Sequence, residues 1–365
     1  MSQTVLCINA GSSSLKVTLF ATLRGEPEPL ASLTIEDVAS SDAALATALT
    51  QLAAYPTPTL VAHRIVHGGP DLTAPVLVTP EIVAALEATV PLAPLHAPAS
   101  LAGIAAVAAR LPGVPQVACF DTAFHARMPS RAQRIPLPDA FGREGVRRYG
   151  FHGLSYEYIV SALAPNVPRR LVIAHLGNGA SLVAVERGQS IDTTMGLTPT
   201  GGIIMGTRTG DIDPGVLLYL ARVHDLSPPQ IARLVEREGG LMAVGHSADM
   251  QTLLARGGED ADAALAVDMF GYAVRKTIGA YAAALGGLDM LVFTGGIGEH
   301  APLVRALSCQ GLEHLGVTLD TTANAQNAEA IGTGACAVRV MQTNENLVMA
   351  RQALALVRDK ADHPV

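Results

Sequence analysis

The chain has 365 residues, a net charge of −7, 49% hydrophobic residues and a positive mean hydropathy of +0.32. This length predicts about two globular domains, and the apolar content excludes an intrinsically disordered chain and a small disulfide-stapled scaffold. The 25 basic residues are outnumbered by 32 acidic ones and no run of five like charges occurs, which argues against a nucleic-acid partner.

No segment resembles a membrane span or an export signal. The longest uncharged stretch, residues 88–109, contains Pro91, Pro94 and Pro98, which a spanning helix tolerates badly. Residues 1–6 lack the basic and long apolar regions of a signal peptide. We therefore expect a cytoplasmic protein without a membrane partner.

The cysteines are predicted to fill the core. Cys7, Cys119, Cys309 and Cys336 are scattered, form no CxxC pair and lie in apolar runs, where a free thiol behaves as a small hydrophobe.

The first half of the chain alternates strands with helices, which is typical of an α/β protein. Strands are predicted at residues 5–9, 15–20, 60–65 and 116–120, and helices at 43–54, 80–88 and 101–110. The small residues at 10–14 join the first two strands and predict a hairpin turn.

The second half repeats this opening. Strands at 171–176 and 181–186 flank a glycine-rich turn, and laying Gly11 over Asn178 places Ser14 on Ser181. A third turn, at 293–299, follows a strand at 290–293 and precedes a helix that begins at Pro302; a last helix is predicted at 345–360. The repeated hairpin is a sign of a duplicated fold.

The glycine-rich turns have two interpretations. The sequence contains neither GxxxxGK[ST] nor a GxGxxG after a strand, which excludes two common nucleotide-binding folds. The three turns are either ordinary hairpin turns or sites where backbone N–H groups receive phosphate oxygens, with Lys16 adding positive charge to the first.

Several polar residues that could bind a ligand or act in catalysis lie at predicted strand ends and in loops. Arg208 lies in the long glycine-rich loop 198–211, a kind of segment that usually carries function. Asp121 ends a strand, where it either anchors Mg²⁺ or caps a turn. A histidine metal centre is disfavoured because no HxxxH or HExxH spacing occurs among His63, His96, His125, His152 and His175.

Eight blocks of the sequence, in order, resemble the acetate kinase family of short-chain carboxylate kinases, within the acetate and sugar kinase, Hsp70 and actin superfamily. The blocks are INAGSSSLK at 8–16, HRIVHGG at 63–69, LAPLH at 92–96, FDTAFH at 120–125, RYGFHG at 148–153, HLGNGAS at 175–181, MGTR at 205–208 and TNE at 343–345.

The resemblance implies an α/β protein with a duplicated actin-like or ribonuclease H-like (ASKHA) fold, in which two domains surround an active-site cleft. The N-terminal domain would comprise residues 1–125 and a returning helix at 346–365, and the second, nucleotide-binding domain would comprise residues 126–345. The family further implies a homodimer that converts acetate and Mg²⁺-ATP reversibly into acetyl phosphate, with Mn²⁺ as an alternative metal.

The same resemblance implies roles for individual residues. Asn9, Asp121 and Glu345 would hold or organise the metal ion. The catalytic residues around the transferred phosphoryl group would be Arg64, Asp121, His152, Asn178 and Arg208. The nucleotide would be bound by Ser12, Ser14, Lys16, His175, Leu176, Gly177, Asn178, Gly179, Asp249, Gly296, Ile297, Gly298 and Glu299.

The acyl group of the substrate would occupy a small apolar pocket. Arg64 would bind the carboxylate, and the positions that match the family's pocket are Val66, Leu95, Phe151 and Pro199. Val66 favours acetate, but one methylene is worth only about 1–3 kcal/mol of discrimination, so propionate or another short acid is an alternative substrate.

Two further alternatives stay open. The family usually has Asp-Phe-Arg near the nucleotide, where this chain has Asp249-Met250-Gln251, so a phosphoryl donor other than ATP is one alternative. A nucleotide-operated switch protein is the other; it requires no carboxylate-binding arginine, so Arg64 and Arg208 argue against it.

Overall fold

The structure is a computed structural model that describes residues 3–10, 14–22, 25–36, 40–94 and 96–362. The chain divides into two compact units. The first comprises Met1–Ala126, Gly153–Tyr158 and Asn344–Val365, and the second comprises Arg127–His152 and Ile159–Thr343. The first unit thus includes Gly153–Tyr158, a segment that the sequence analysis assigned to the second domain.

The described residues contain strands β1 (Thr4–Ala10), β2 (Ser14–Thr22), β3 (Pro27–Glu36), β4 (Leu60–Ile65), β5 (Val76–Leu77), β6 (Gln116–Phe120), β7 (Arg170–Leu176), β8 (Ala180–Glu186), β9 (Gln189–Thr193), β10 (Met290–Thr294) and β11 (Ala337–Val340). Their helices are α1 (Ser41–Gln51), α2 (Pro80–Ala88), α3 (Ala97–Arg110), α4 (Ser130–Gln133), α5 (Asp139–Arg143), α6 (Gly153–Leu163), α7 (Pro214–Val223), α8 (Pro228–Arg237), α9 (Gly240–Gly245), α10 (Met250–Arg256), α11 (Ala261–Leu285), α12 (Gly295–His300), α13 (Pro302–Cys309), α14 (Thr321–Ala325) and α15 (Glu345–Asp362).

In the described part of the first unit, the strands form one sheet in the order β3-β2-β1-β4-β6-β5. β1, β2 and β3 form an antiparallel meander, and β4 and β6 continue the sheet parallel to β1. Parallel strands end at the same edge of a sheet, which is where α/β proteins usually place their ligands. Asn9, Arg64 and Asp121 lie at that edge, at the ends of β1, β4 and β6.

The second unit repeats this topology. Its sheet has the order β9-β8-β7-β10-β11, with an antiparallel meander of β7, β8 and β9 followed by two strands parallel to β7. The order and directions match β3-β2-β1-β4-β6 of the first sheet, so the predicted duplication is confirmed by the topology.

The two hairpins of the predicted repeat differ in the length of their turns. Asn9 pairs with Lys16 across the first hairpin, and His175 pairs with Ser181 across the second. Between the last paired residues of each hairpin, the first turn contains four residues, between Ala10 and Leu15, and the second contains three, between Leu176 and Ala180. The predicted overlay of Gly11 on Asn178 and of Ser14 on Ser181 stays a prediction.

The core of the first unit lies on both faces of its sheet. On one face, Val5 and Cys7 of β1 pack with Met349 of α15. On the other face, Leu6 and Ile8 pack with α1 and α3. A strand covered on both faces has apolar residues at every position, which explains why β1 reads as a continuous apolar run instead of an alternating one. All four cysteines are free and buried, as predicted.

The structure differs from the predicted elements in several places, and three of these differences have a physical reason in the sequence. β3 was not predicted because its Pro-Glu-Pro start disfavours a strand, but proline is tolerated at the edge of a sheet, where β3 lies. The predicted turn at 293–299 is largely the helix α12. The helix predicted from residue 101 already begins at Ala97, because Pro98 occupies the first turn, where a missing N–H costs nothing.

Within the described ranges, no helix combines the length and the apolar character that a bilayer crossing requires.

Candidate active site

Arg64, Asp121 and Glu345 form an ion-paired cluster in the first unit, which we call the Arg64 cluster. The Arg64 guanidinium donates two parallel hydrogen bonds to the Asp121 carboxylate, from Nε to Oδ1 at 3.0 Å and from Nη2 to Oδ2 at 2.7 Å. Its Nη1 lies 3.5 Å from Oε2 of Glu345, in the first turn of α15. Such a two-point contact fixes the guanidinium plane as well as its position.

The electrostatics of this cluster follow from its burial. The Asp121 side chain is 2% exposed, and burial, which disfavours the charged form, raises the pKa of its carboxyl, although the Arg64 guanidinium opposes this shift. The nearby charge of Glu345 raises the Asp121 pKa further. Burial also works against the charge of Arg64, but the two carboxylates outweigh it and raise the Arg64 pKa above its ordinary value.

Asn9 and Lys16 lie on one face of the first hairpin, because directly opposed residues of antiparallel strands share a face. Asn9 is half-buried and Lys16 is exposed. Two predicted nucleotide contacts cannot be placed: Ser12 lies outside the described residues, and only the backbone of Ser14 is described, in β2.

Residues of the second unit form a further cluster, which we call the His152 cluster: His152, His175, Gly179, Ser181 and Arg208. His152 Nδ1 lies 2.8 Å from Oγ of Ser181, and its ring stacks on that of His175 with centroids 4.2 Å apart. A Cβ added to Gly179 would lie 3.4 Å from His152 Nε2 and 3.7 Å from Arg208 Nη1. The imidazole and the guanidinium therefore border the same glycine.

The loop that carries Arg208 is held by backbone contacts. Arg208 Nη1 donates to the carbonyl of Pro199 at 2.9 Å. Burial lowers the Arg208 pKa, while the charge of Glu236 opposes the shift. Gly240, at φ +66°, packs so closely that a Cβ would lie 2.1 Å from the Met205 carbonyl oxygen, so this position requires glycine.

Asn178 depends on a glycine of this loop, Gly206. Its carbonyl accepts a hydrogen bond from Gly206 N at 3.2 Å, and a Cβ on Gly206 would lie 2.0 Å from Asn178 Oδ1. The glycine-rich character of the loop is therefore what allows Asn178 and Arg208 to come near the same turn.

The predicted nucleotide turn after β10 is a short helix, α12. Glu299 Oε1 accepts a hydrogen bond from the backbone N of Gly295 at 3.0 Å, which caps the start of α12.

Leu176, which was also predicted to contact nucleotide, is fully buried at the end of β7. Its carbonyl oxygen would lie 2.8 Å from a Cβ added to Gly295. Gly296, Ile297 and Gly298 lie in α12, and Gly177 donates its N–H to the Gly179 carbonyl at 3.2 Å.

Asp249 has a structural role in the second unit. Its carboxylate caps α10 and accepts from Thr252 N at 3.0 Å and Thr252 Oγ1 at 2.6 Å, and these hydrogen bonds lower its pKa. Its predicted contact with the nucleotide stays a prediction.

The predicted acyl-pocket residues are distributed over both units. Val66 is half-buried in the first unit, whereas Phe151, 1% exposed, and half-buried Pro199 belong to the second. Leu95 lies outside the described residues. The pocket itself therefore stays a prediction.

A divalent metal fits the chemistry of the Arg64 cluster. Among the described residues, no three His, Cys, Asp or Glu side chains lie together as a ready ligand set. Mg²⁺, however, commonly takes only one or two carboxylates and completes its shell with waters and phosphate oxygens. Asp121 and Glu345 supply two hard carboxylates whose mutual repulsion a cation would relieve.

One residue near the nucleotide turn was missed by the sequence analysis. Arg305 is 0% exposed and donates to the carbonyls of Gly298 and Glu299 at 2.8 and 3.0 Å. Its other hydrogen bonds go to Asn324 and Asn327. The sequence signal was a lone arginine in the otherwise uncharged helix PLVRALSC.

Comparisons with known proteins agree with this architecture. A sequence model described as "Acetokinase family" matches residues 55–351. A protein named acetate kinase from Nitrobacter hamburgensis is 43% identical over 99% of this chain and 98% of its own length. The crystal structure of Porphyromonas gingivalis acetate kinase has a TM-score of 0.85 at 34% identity, covering 97% of this chain and 100% of that one. A propionate kinase structure from Francisella tularensis has a TM-score of 0.88 at 31% identity, covering 97% and 99%.

The duplicated sheets and these structural matches define an enzyme with the two-domain ASKHA-type kinase fold. More narrowly, the chain belongs to the acetokinase family. The resemblance found in the sequence and the fold class that it implied are both confirmed.

Proposed function

We propose that this protein is an acetate kinase, which transfers the γ-phosphoryl group of Mg²⁺-ATP to acetate. A carboxylate oxygen of acetate forms a bond to the γ-phosphorus while the bond from that phosphorus to the bridging oxygen of ADP breaks, giving acetyl phosphate and ADP. The reverse reaction uses the same groups. The observation that carries the proposal is the family match over residues 55–351, which spans Arg64, Asp121, His152, Asn178, Arg208 and Glu345.

For this reaction the protein must neutralise the charge on the phosphoryl oxygens, and it needs no general base. Acetate is already ionised near neutral pH, so its attack requires no proton removal. The loose transition state of phosphoryl transfer carries charge on its equatorial oxygens, and preorganised donors usually supply the largest catalytic contribution. We assign this role to Arg64, His152, Asn178 and Arg208.

The geometry of each cluster supports these roles. Asp121 and Glu345 hold the Arg64 guanidinium in one orientation, which prepares it for a carboxylate or phosphoryl oxygen without rearrangement. Arg208 and His152 border Gly179, where a phosphoryl oxygen can approach because no side chain intervenes.

Asp121 and Glu345, with Asn9, would hold the divalent ion, for which we propose Mg²⁺. Bound with the nucleotide, Mg²⁺ neutralises phosphate charge as the transition state forms.

Propionate is the second candidate substrate. The structural likeness to a propionate kinase, at a TM-score of 0.88, supports propionate as an alternative substrate. An apolar pocket also discriminates only weakly between two acids that differ by one methylene.

We further propose a homodimer. Two helices of the second unit carry exposed apolar rows at helical spacing: Val216, Tyr219 and Val223 on α7, and Leu265, Met269 and Tyr272 on α11. Exposed apolar rows of this kind mark interaction surfaces, and a second copy of the chain is the partner that the family implies.

We place the enzyme in the cytoplasm, in keeping with its four free, buried cysteines.

The decisive experiment is trapping of acyl phosphate as the hydroxamate, with ATP and Mg²⁺ and with acetate, propionate or butyrate. Arg208→Ala should lower kcat about 10²- to 10³-fold. Arg233→Ala, which removes an arginine 72% exposed on α8, should leave kcat unchanged. Failure of folded, ATP-binding protein to form product with any of the three acids would overturn the proposal, and product only with another phosphoryl donor would reassign the co-substrate.

A further inference from the structure

The His152 ring packs against side chains of two neighbouring strands, β7 and β8. His175 on β7 and Ser181 on β8 are directly opposed, so their side chains share one face of the second sheet. The His152 ring covers this pair: it stacks on His175 at an interplanar angle of 25°, and its Nδ1 lies 2.8 Å from Ser181 Oγ. The ring is therefore held in both plane and rotation.

The backbone of His152 has a positive φ. The residue has φ 57° and ψ 22°, the left-handed region, directly before α6. Residues other than glycine occupy that region infrequently, although histidine does so more often than most, and such conformations persist where the surroundings over-determine them.

Ser181 is suited to a lasting contact with the ring. It is 0% exposed and lies within the regular β7–β8 ladder, so bulk water does not compete for its hydroxyl. The opposite ring nitrogen, Nε2, faces Gly179, the residue that Arg208 also borders.

We propose that Ser181 is a positioning residue for His152: its Oγ–H donates to Nδ1, so that the neutral imidazole carries its proton on Nε2. A neutral imidazole has one donor and one acceptor nitrogen, and the partner of one nitrogen decides the state of the other. The Nε2–H then donates toward a phosphoryl oxygen at the Gly179 side. The other tautomer would direct a lone pair at that anionic oxygen and repel it.

The tautomer is testable without any assay of activity. Selective ¹⁵N labelling of histidine, with His152→Gln to assign the signals, should show a protonated Nε2 and an unprotonated Nδ1 for His152 in the wild-type protein. Ser181→Ala should mix the two tautomers. A wild-type ring protonated on Nδ1 would overturn the proposal.

The catalytic consequence rests on the proposed function and is measured separately. Ser181→Ala should lower kcat about 10- to 100-fold, the range known for groups that orient metal-binding histidines, with KM changed less than about twofold. Ser181→Thr, which keeps the hydroxyl, should restore most of kcat and the Nε2–H signal. Ser190→Ala removes another fully buried serine of the same sheet and should change neither.

The two readouts separate the two hypotheses. Absence of acyl phosphate synthesis in the wild type, with the Nε2–H tautomer present and lost in Ser181→Ala, contradicts the proposed function but retains the positioning role. Equal kcat values for Ser181→Ala and Ser190→Ala would overturn that role in catalysis.

Discussion

Arg64 and Asp121 are joined by two parallel hydrogen bonds, although they lie 57 positions apart in the sequence. The contact arises because β4 and β6 are neighbouring parallel strands that end at one edge of the sheet. The same two-point geometry occurs between Arg110 and Asp42, at 2.6 and 2.7 Å, where both side chains are far more exposed. The exposed Arg110–Asp42 pair can therefore serve as the control for mutations of the buried Arg64–Asp121 pair.

Arg64→Ala should be costly to stability as well as to catalysis, because it leaves the buried Asp121 carboxylate without its guanidinium partner. We expect a loss of about 3 kcal/mol in the free energy of unfolding. Arg110→Ala should cost much less, because exposed ion pairs are screened by water. Urea unfolding of both variants checks this, and equal losses would contradict the assignment of a buried ion pair.

Gly206→Ala should reduce activity without unfolding the protein. The added methyl group would lie 2.0 Å from Asn178 Oδ1, so the Asn178 side chain must move. We expect kcat to fall about 10²-fold, comparable with loss of one transition-state donor. Gly196→Ala, where the methyl group meets nothing within 4 Å, is the control, and steady-state kinetics with circular dichroism is the measurement. Full activity of Gly206→Ala would exclude Asn178 from catalysis.

His63 should make the first unit less stable in acid. Burial lowers its pKa from the ordinary 6.5 to about 4, despite a 2.7 Å hydrogen bond to Gln116. The unfolded chain therefore binds a proton before the folded one does, and stability falls as the pH drops from about 6.5 to about 4. The full loss is about 3 kcal/mol.

Unfolding measured across that pH range, at fixed protein concentration, tests the role of His63. His63→Gln should flatten the dependence, whereas His224→Gln, at an exposed histidine, should leave it as in the wild type. An unchanged slope in His63→Gln would show that other groups control acid stability.

Leu265→Glu should dissociate the proposed dimer. It places a charge within the apolar row of α11, at a side chain 51% exposed in the single chain. Leu137→Glu alters a leucine of similar exposure, 48%, outside the α7 and α11 rows. Sedimentation velocity should show monomers only for Leu265→Glu. Dimers in both variants would move the interface elsewhere.

Arg305→Met should weaken nucleotide binding through the α12 backbone. Arg305 donates five hydrogen bonds to neutral oxygens, two of them the carbonyls of Gly298 and Glu299. Losing them leaves buried acceptors unsatisfied at about 1–3 kcal/mol each, so we expect lower stability and a higher KM for ATP. Thermal unfolding and ATP titration measure these effects. An unchanged KM for ATP would show that α12 does not contribute to nucleotide binding.

Much of the architecture was readable from local sequence. The strands at 60–65 and 116–120 and the helix at 80–88 were predicted with the bounds that the structure has, because apolar runs, turn residues and a proline at the helix start are short-range signals. The repeated hairpin likewise revealed the duplication. β3 escaped because its proline-rich start is compatible only with an edge position, and edge position is a property of the assembled sheet.

The sequence by itself determined the fold class, the family and the residue types available for phosphoryl transfer. Only the tertiary structure decided their partners: Arg64 with Asp121, His152 with Ser181, and Asn178 against Gly206. The physical reason is that local propensities determine where strands and turns occur, whereas strand order and register bring together side chains distant in sequence. The first hairpin pairs Asn9 with Lys16 and the second pairs His175 with Ser181, and these pairs form only when the strands align in register.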